Sequence, residues 1–225
     1  MIITLVDDYL SKRYNYIALQ LEPSIEDIRP FMWLGWKSSA NYTYEIDLSD
    51  IKALWEKMDK DAKYEINKAR KNSIQIVHGD NMEQFLILYE KTFAKHKSKV
   101  PLNKEWIKDM FKTLSKEKKC RLYYAKSSKE EIISSALTVW DNKKAYYLLA
   151  VSEPKVSIGS NYLLLWNVID EMSKKFTVMD MVGANIPNIA KFKREFATKL
   201  TSYYTVEKYS SYLVKILERV YRRKW

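Results

Sequence analysis

Three segments with strand periodicity stand almost end to end in this chain: Arg121–Lys126, Ile132–Trp140 and Ala145–Val151. The turn Asp141-Asn142-Lys143-Lys144 makes the last two a hairpin, so the centre of the fold is a largely antiparallel sheet. The period then changes. A loop, Ser152–Ile158, leads to Gly159 and an apolar helix over Asn161–Met172. Strand Phe176–Val182 follows, then Gly183-Ala184-Asn185-Ile186-Pro187 and a short helix over about Asn188–Phe196. A last strand, Leu200–Tyr209, and a basic amphipathic helix close the chain. Hairpin, helix, strand, short helix, strand predicts a mixed α/β (α+β) domain.

Upstream, Tyr14–Leu21 alternates as a strand and Glu22-Pro23 stops it. Ser24 is the expected N-cap of a short helix reaching Phe31, with Trp33 and Trp36 expected to bury against the sheet. Tyr42–Leu48 is a strand, and Ser49 is the expected cap of a helix carrying Ile51, Leu54, Trp55 and Met58. A basic helix over about Lys60–Asn72 keeps Ala62, Ile66 and Ala69 at helical spacing. Its Lys60, Lys63, Asn67 and Lys71 share another face, a stripe suited to phosphate groups. Ser73–His78 is a strand, Asp80 or Asn81 caps a helix through Phe93, and Asn103 caps another. Residues 1–40 read as a remnant strand and helix of a preceding lobe packed on the main domain, and residues 41–225 as that domain.

Composition narrows the function classes. Hydrophobic residues make up 47% of the chain and Gly and Pro are few, which suits a packed core and excludes low-complexity chains. One cysteine, Cys120, excludes an internal disulfide framework and predicts a reducing, cytoplasmic setting. No apolar run is long enough to span a bilayer, and Asp7 and Asp8 come too early for a secretory leader. The net charge of +11 is concentrated in residues 91–119 and 188–225, which predicts a phosphate-bearing partner. His78 and His96 are far apart and lack the acid or cysteine spacing of a metal site, so no metal is expected.

Four stretches carry a family resemblance: Arg29-Pro-Phe-Met-Trp-Leu-Gly-Trp36 with Tyr42-Thr-Tyr-Glu-Ile-Asp-Leu48; Leu54-Trp55 with Asn67-Lys-Ala-Arg-Lys-Asn72; Ser160-Asn-Tyr-Leu-Leu-Leu-Trp166; and Met179-Asp-Met-Val-Gly-Ala-Asn185 with Ala190-Lys-Phe-Lys-Arg-Glu-Phe196. In that order the chain resembles the FemAB-like branch of the GNAT acetyltransferase superfamily. The resemblance implies a GNAT-like lobe with a central twisted, mostly antiparallel sheet flanked by helices. It implies an N-acyltransferase that takes an acyl group from acetyl- or acyl-coenzyme A to an amine on a small molecule or a peptidoglycan precursor. Two other readings stay open: transfer from aminoacyl-tRNA, and a non-catalytic binding module. Many relatives have Gly where this chain has Ala197, and many carry two lobes.

Amine acylation requires a held donor, a deprotonated amine and a stabilised oxyanion. For the donor, GNAT-like lobes use a splayed strand and the next helix N-terminus. Here these are Leu149, Ala150 and Val151, followed by Ser157, Gly159, Ser160 and Asn161. The resemblance implies that Lys193 faces the transfer centre. Phe192 and Phe196, at i and i+4, are expected inside, with Lys191, Arg194 and Glu195 outward. Asp180 is a possible base with a structural hydrogen-bond role as the alternative, and Asn185 could orient substrate. Lys191, Arg194, His96, Lys63 and Tyr44 are the remaining expected substrate contacts.

Overall fold

The computed structural model describes residues 2–95, 100, 102–153 and 158–224. In chain order the elements begin with α1 (Ile2–Ser11), β1 (Tyr16–Gln20), α2 (Arg29–Trp33) and β2 (Lys37–Asp47). Next come α3 (Ile51–Lys57), α4 (Lys60–Lys71), β3 (Gln75–Gly79), α5 (Met82–Lys95) and α6 (Lys104–Lys116). The centre holds β4 (Cys120–Lys126), β5 (Ile132–Trp140), β6 (Ala145–Ser152) and α7 (Ser160–Ser173). Last are β7 (Val178–Asp180), α8 (Pro187–Arg194), β8 (Lys199–Tyr209) and α9 (Tyr212–Lys224).

The chain divides into two compact units, one of residues up to Thr43 together with those from Leu200, the other Tyr44–Lys199. The expected cut at residue 40 lies near the first of these boundaries. The second sets β8 and α9 with the N-terminal elements.

In the larger unit the strand order is β2-β7-β6-β5-β4-β3. Every adjacent pair is antiparallel except β6 and β7. One face carries a core of α3, α4 and α7 side chains, including Ala62, Ile66 and Ala69 as the spacing predicts. The other carries α5 and α6, with Phe85, Tyr89 and Ile107 fully buried. In the smaller unit β1 pairs antiparallel with β8, and Ile17, Phe31, Trp36 and Val206 form the core.

Local chemistry sets the helix starts, and in two places differs from expectation. The cap of α3 is Asp50, whose carboxylate accepts from Lys52 N and Ala53 N at 3.0 Å each. Ser49 is unavailable because its hydroxyl donates to Asp47 Oδ1 at 2.6 Å. Likewise Ser24 donates to Glu22 rather than capping a helix. α2 starts later, at Arg29, with Pro30 in its first turn where a missing N–H costs nothing. Asn103 does cap α6, and the Asp141 carboxylate closes the β5–β6 turn on Lys143 N and Lys144 N. Trp36 buries as expected, whereas Trp33 is 75% exposed, because the short α2 turns it away from the core that holds Phe31. The helix α1 has no counterpart in the sequence reading.

Candidate active site

The site begins with a separation of two strands. β6 and β7 run parallel and pair only at Ala145↔Met179 and Tyr146↔Asp180. β7 ends there, while β6 continues to Ser152. From Tyr147 onward, β6 keeps its partner on one side, β5, and has no strand on the other among the described residues; that edge ends at Ser152, whose N–H donates to Thr92 Oγ1 and whose carbonyl accepts from it, at 3.1 Å each. A β-bulge adds to this: Leu137 pairs with Leu149 and Thr138 with Tyr147, so Leu148 stands outside the ladder. A bulge bends its strand and sharpens the twist, which turns β6 away from β7. Of the expected donor-binding residues, Ala150 turns its N–H and C=O to this edge, while the peptide groups of Leu149 and Val151 face β5. The Tyr147 hydroxyl is buried and has no hydrogen-bond partner among the described residues.

The loop after β7 is held by Lys193. Its Nζ donates to three backbone carbonyls: Met181 O at 2.5 Å, Val182 O at 2.8 Å and Gly183 O at 2.7 Å. Those bonds use all three ammonium protons. The carbonyls converge because Val182 (φ 53°) and Gly183 (φ 82°) are both left-handed. For a β-branched residue that conformation is an outlier which the surroundings must enforce. Asp180 Oδ1 accepts from Val182 N at 2.7 Å and helps to enforce it. Lys193 is only 7% exposed. Burial pulls its ammonium down to about 8, while the charge of Asp180 acts in the opposite direction.

A second buried charge lies two residues on. The sequence predicts Glu195 outward; it is 6% exposed. The helix α8 ends at Arg194, and Glu195 turns in to accept from the Tyr162 hydroxyl at 2.9 Å. Its carbonyl also accepts from Asp59 N at 3.0 Å. Tyr162 packs against Phe192 and Phe196, with ring centroids 4.9 Å and 5.8 Å away. Burial, and then the Glu195 carboxylate, push the Tyr162 phenol well above the ordinary tyrosine range. Spacing held the clue: Glu195 is at i+3 from Phe192, on the same helix face.

The start of α7 is tightly built. Gly159 caps the helix at φ 72°, and a Cβ there would lie 2.1 Å from Glu65 O of α4. Ser160 is buried and Asn161 half-buried. The Glu65 carboxylate also stands close, with Oε2 at 3.1 Å from that Cβ position, and Lys68 pairs with it at 3.2 Å. A helix N-terminus favours an anion. Here a side-chain carboxylate already stands beside it.

The other expected site residues are dispersed. Lys191 and Arg194 are exposed on α8, and Asn185 is exposed on the loop before it. Lys63 Nζ donates to Glu56 O at 2.8 Å and so ties α4 to α3. Tyr44 lies in the core, and its carbonyl accepts from Met181 N at 2.8 Å. His96 and Ser157 fall outside the described residues. A separate cavity of 570 Å³, lined by His78, Phe111, Cys120, Arg121 and Trp140 among others, contains none of these residues. No group of side chains suited to a metal ion occurs among the described residues.

Known proteins complete the assignment. The family profile for the acetyltransferase (GNAT) domain matches residues 56–194, more than half of the chain. The chain therefore belongs to the GNAT acetyltransferase family, and it is an acyltransferase. No curated protein matches the sequence. Among solved structures, FemX is similar with a TM-score of 0.72 at 10% identity, over 90% of this chain and 75% of that one. L-PGS from Bacillus licheniformis has a TM-score of 0.65 at 12% identity, over 96% and 75% of the two chains. A tandem GNAT protein from the clavulanic acid biosynthesis pathway has a TM-score of 0.57 at 8% identity, over 87% and 64%. The fold is thus the one that the resemblance to the FemAB-like branch implies.

Proposed function

We propose that this chain transfers an acyl group from an acyl thioester, acetyl- or acyl-coenzyme A, to an amine on a small molecule or a peptidoglycan precursor in the cytoplasm. The observation that carries the reading is the edge of β6 beyond Tyr146, where the Ala150 peptide, between Leu149 and Val151, can pair with the amides of a pantetheine arm. The Leu148 peptide, outside the β5 ladder, is suited to meet the oxyanion. Lys193 keeps the loop 181–183 in place and sets positive charge beside it. Glu195, joined to Tyr162, and Asp180 are the buried carboxylates available to take the amine proton. The Tyr147 hydroxyl is a buried donor without an acceptor among the described residues, suited to protonate the departing thiolate. The coenzyme supplies the activated acyl group, and every other role falls to the protein.

One observation favours a second reading, transfer from the ester of an aminoacyl-tRNA. The Glu65 carboxylate at the start of α7 opposes a pyrophosphate there. Titration with coenzyme A and acetyl-coenzyme A, followed by thermal unfolding, decides between them. A saturable rise in melting temperature that tolerates salt supports the thioester. No rise near millimolar ligand, with salt-sensitive binding of tRNA, transfers the assignment to the aminoacyl ester.

A further inference from the structure

The last helix presents its apolar side to solvent. In α9, Leu213, Ile216, Leu217 and Val220 recur at steps of three and four, so they form one stripe. In a surface helix such a stripe faces the core. Here Leu213 is 71% and Leu217 68% exposed, and Ile216 and Val220 are exposed as well. Tyr212 and Tyr221 extend the patch. A contiguous exposed apolar stripe of this kind marks an interaction surface.

The charges beside the stripe say what fits it. Lys215 and Arg219 lie on the same helix, and the sequence continues with Arg222, Arg223 and Lys224. The charges of Lys37, at the start of β2, and of Arg219 hold the Lys215 ammonium below the ordinary lysine range. The one acid on the helix, Glu218, accepts from Tyr209 OH at 3.5 Å. Arg219 therefore flanks the aliphatic stripe and Lys215 lies on the opposite, basic side of the helix, the pattern of a helix that lies on a surface both anionic and apolar.

We propose that α9 docks the protein onto an anionic phospholipid surface. The four aliphatic side chains enter the boundary between headgroups and acyl chains, Arg219 at the flank meets lipid phosphates, and Lys215 with Lys37 behind it adds longer-range attraction. A nucleic acid would engage the cations and leave the aliphatic stripe in water. A two-fold dimer through the same patch would bring Arg219, at its flank, toward its own copy. The helix is 13 residues long, roughly 20 Å, which suits lying in the interface and not crossing it. No helix of the described residues is long and apolar enough to cross a membrane.

The test is co-sedimentation of the full chain with vesicles of phosphatidylcholine alone or of phosphatidylcholine mixed with phosphatidylglycerol. Binding is expected only to the mixed vesicles and is expected to weaken as salt rises. The pair Leu213→Glu, Leu217→Glu is expected to weaken binding about tenfold or more. Lys215→Glu with Arg219→Glu is expected to do the same. Both pairs lie at the surface and should leave the melting temperature unchanged, which separates lost docking from lost folding. The proposal is overturned by failure to bind the mixed vesicles or by equal binding of the leucine pair. A solution dimer that the leucine pair dissociates overturns it in favour of a second copy. Binding of tRNA that survives the leucine pair, with no vesicle binding, overturns it in favour of nucleic acid.

Discussion

The loop 181–183 and the helix α9 invert the ordinary distribution of residues in opposite ways. Around the loop, Lys193, Asp180 and Glu195 are charged and buried. On α9, leucines and an isoleucine are apolar and exposed. The buried charges persist because each has a named partner: three carbonyls for Lys193, Val182 N for Asp180, and Tyr162 for Glu195. Without those partners each would carry the full penalty of an unsatisfied buried group. The exposed stripe has no such compensation among the described residues. The first region is thus held together by its own contacts, and the second awaits a surface. Substitutions should therefore affect stability in one and binding in the other.

The strongest test of the first region is Gly159→Ala. The added Cβ would meet Glu65 O, a backbone atom that cannot step aside, and φ is positive. The expected loss is roughly 3 kcal/mol or more, read by denaturant unfolding. Gly183→Ala is the control: it has the same sign of φ but nothing within 4 Å, and should cost only about 1 kcal/mol.

Lys193→Met comes next. It strips three buried carbonyls of their donor and should cost about 2–4 kcal/mol, with loss of acyl transfer. The pH dependence follows from the direction of the shift. The folded protein releases this proton near 8 and the unfolded chain near 10.5. Activity that needs the cation is present below about 8 and falls as pH rises through it. Lys193→Arg should move that fall to higher pH. Between those two values the unfolded chain binds more protons, so the contribution of this group to stability rises with pH across the window. A pH–rate profile flat through 8 would show that the cation is only structural.

Tyr162→Phe removes one hydrogen bond to a buried carboxylate and should cost roughly 1.5–3 kcal/mol. Combined with Glu195→Gln in a double-mutant cycle, it should show coupling of about 1 kcal/mol. The smallest effect is expected on α9. Leu217→Glu should change stability by less than about 0.5 kcal/mol, since the side chain is already in water. A large loss of stability there would show that the stripe is packed in the folded protein and would abolish the contrast.

Much of this was legible because it is local. The buried face of α4, with Ala62, Ile66 and Ala69, follows from helical spacing alone. So do the β5–β6 hairpin, through the Asp141 turn, and the Asn103 cap of α6. The resemblance points to Lys193, and its three carbonyl partners are beyond any local pattern, because they come from residues 10 to 12 positions away. Glu195 was misplaced outward because outward is the usual place for a glutamate, although its spacing from Phe192 pointed inward. Tyr44, expected as a substrate contact, has its side chain in the core, because strand alternation gives two faces and does not say which one is covered. α1 was missed altogether, and Ile2 and Leu5 are among its exposed residues.

By itself, the sequence determined the order of the elements after α1, the hairpin, several of the helix starts and the family. These depend on side-chain period, on turn and cap residues, and on contacts a few positions apart. Only the tertiary structure decided that β6 parts from β7 after two residue pairs, that Val182 is forced into a left-handed conformation, and that Lys193 and Glu195 point inward. Each of those depends on a partner from another element. The free energy of a buried charge depends on whether that partner arrives, which no local pattern encodes.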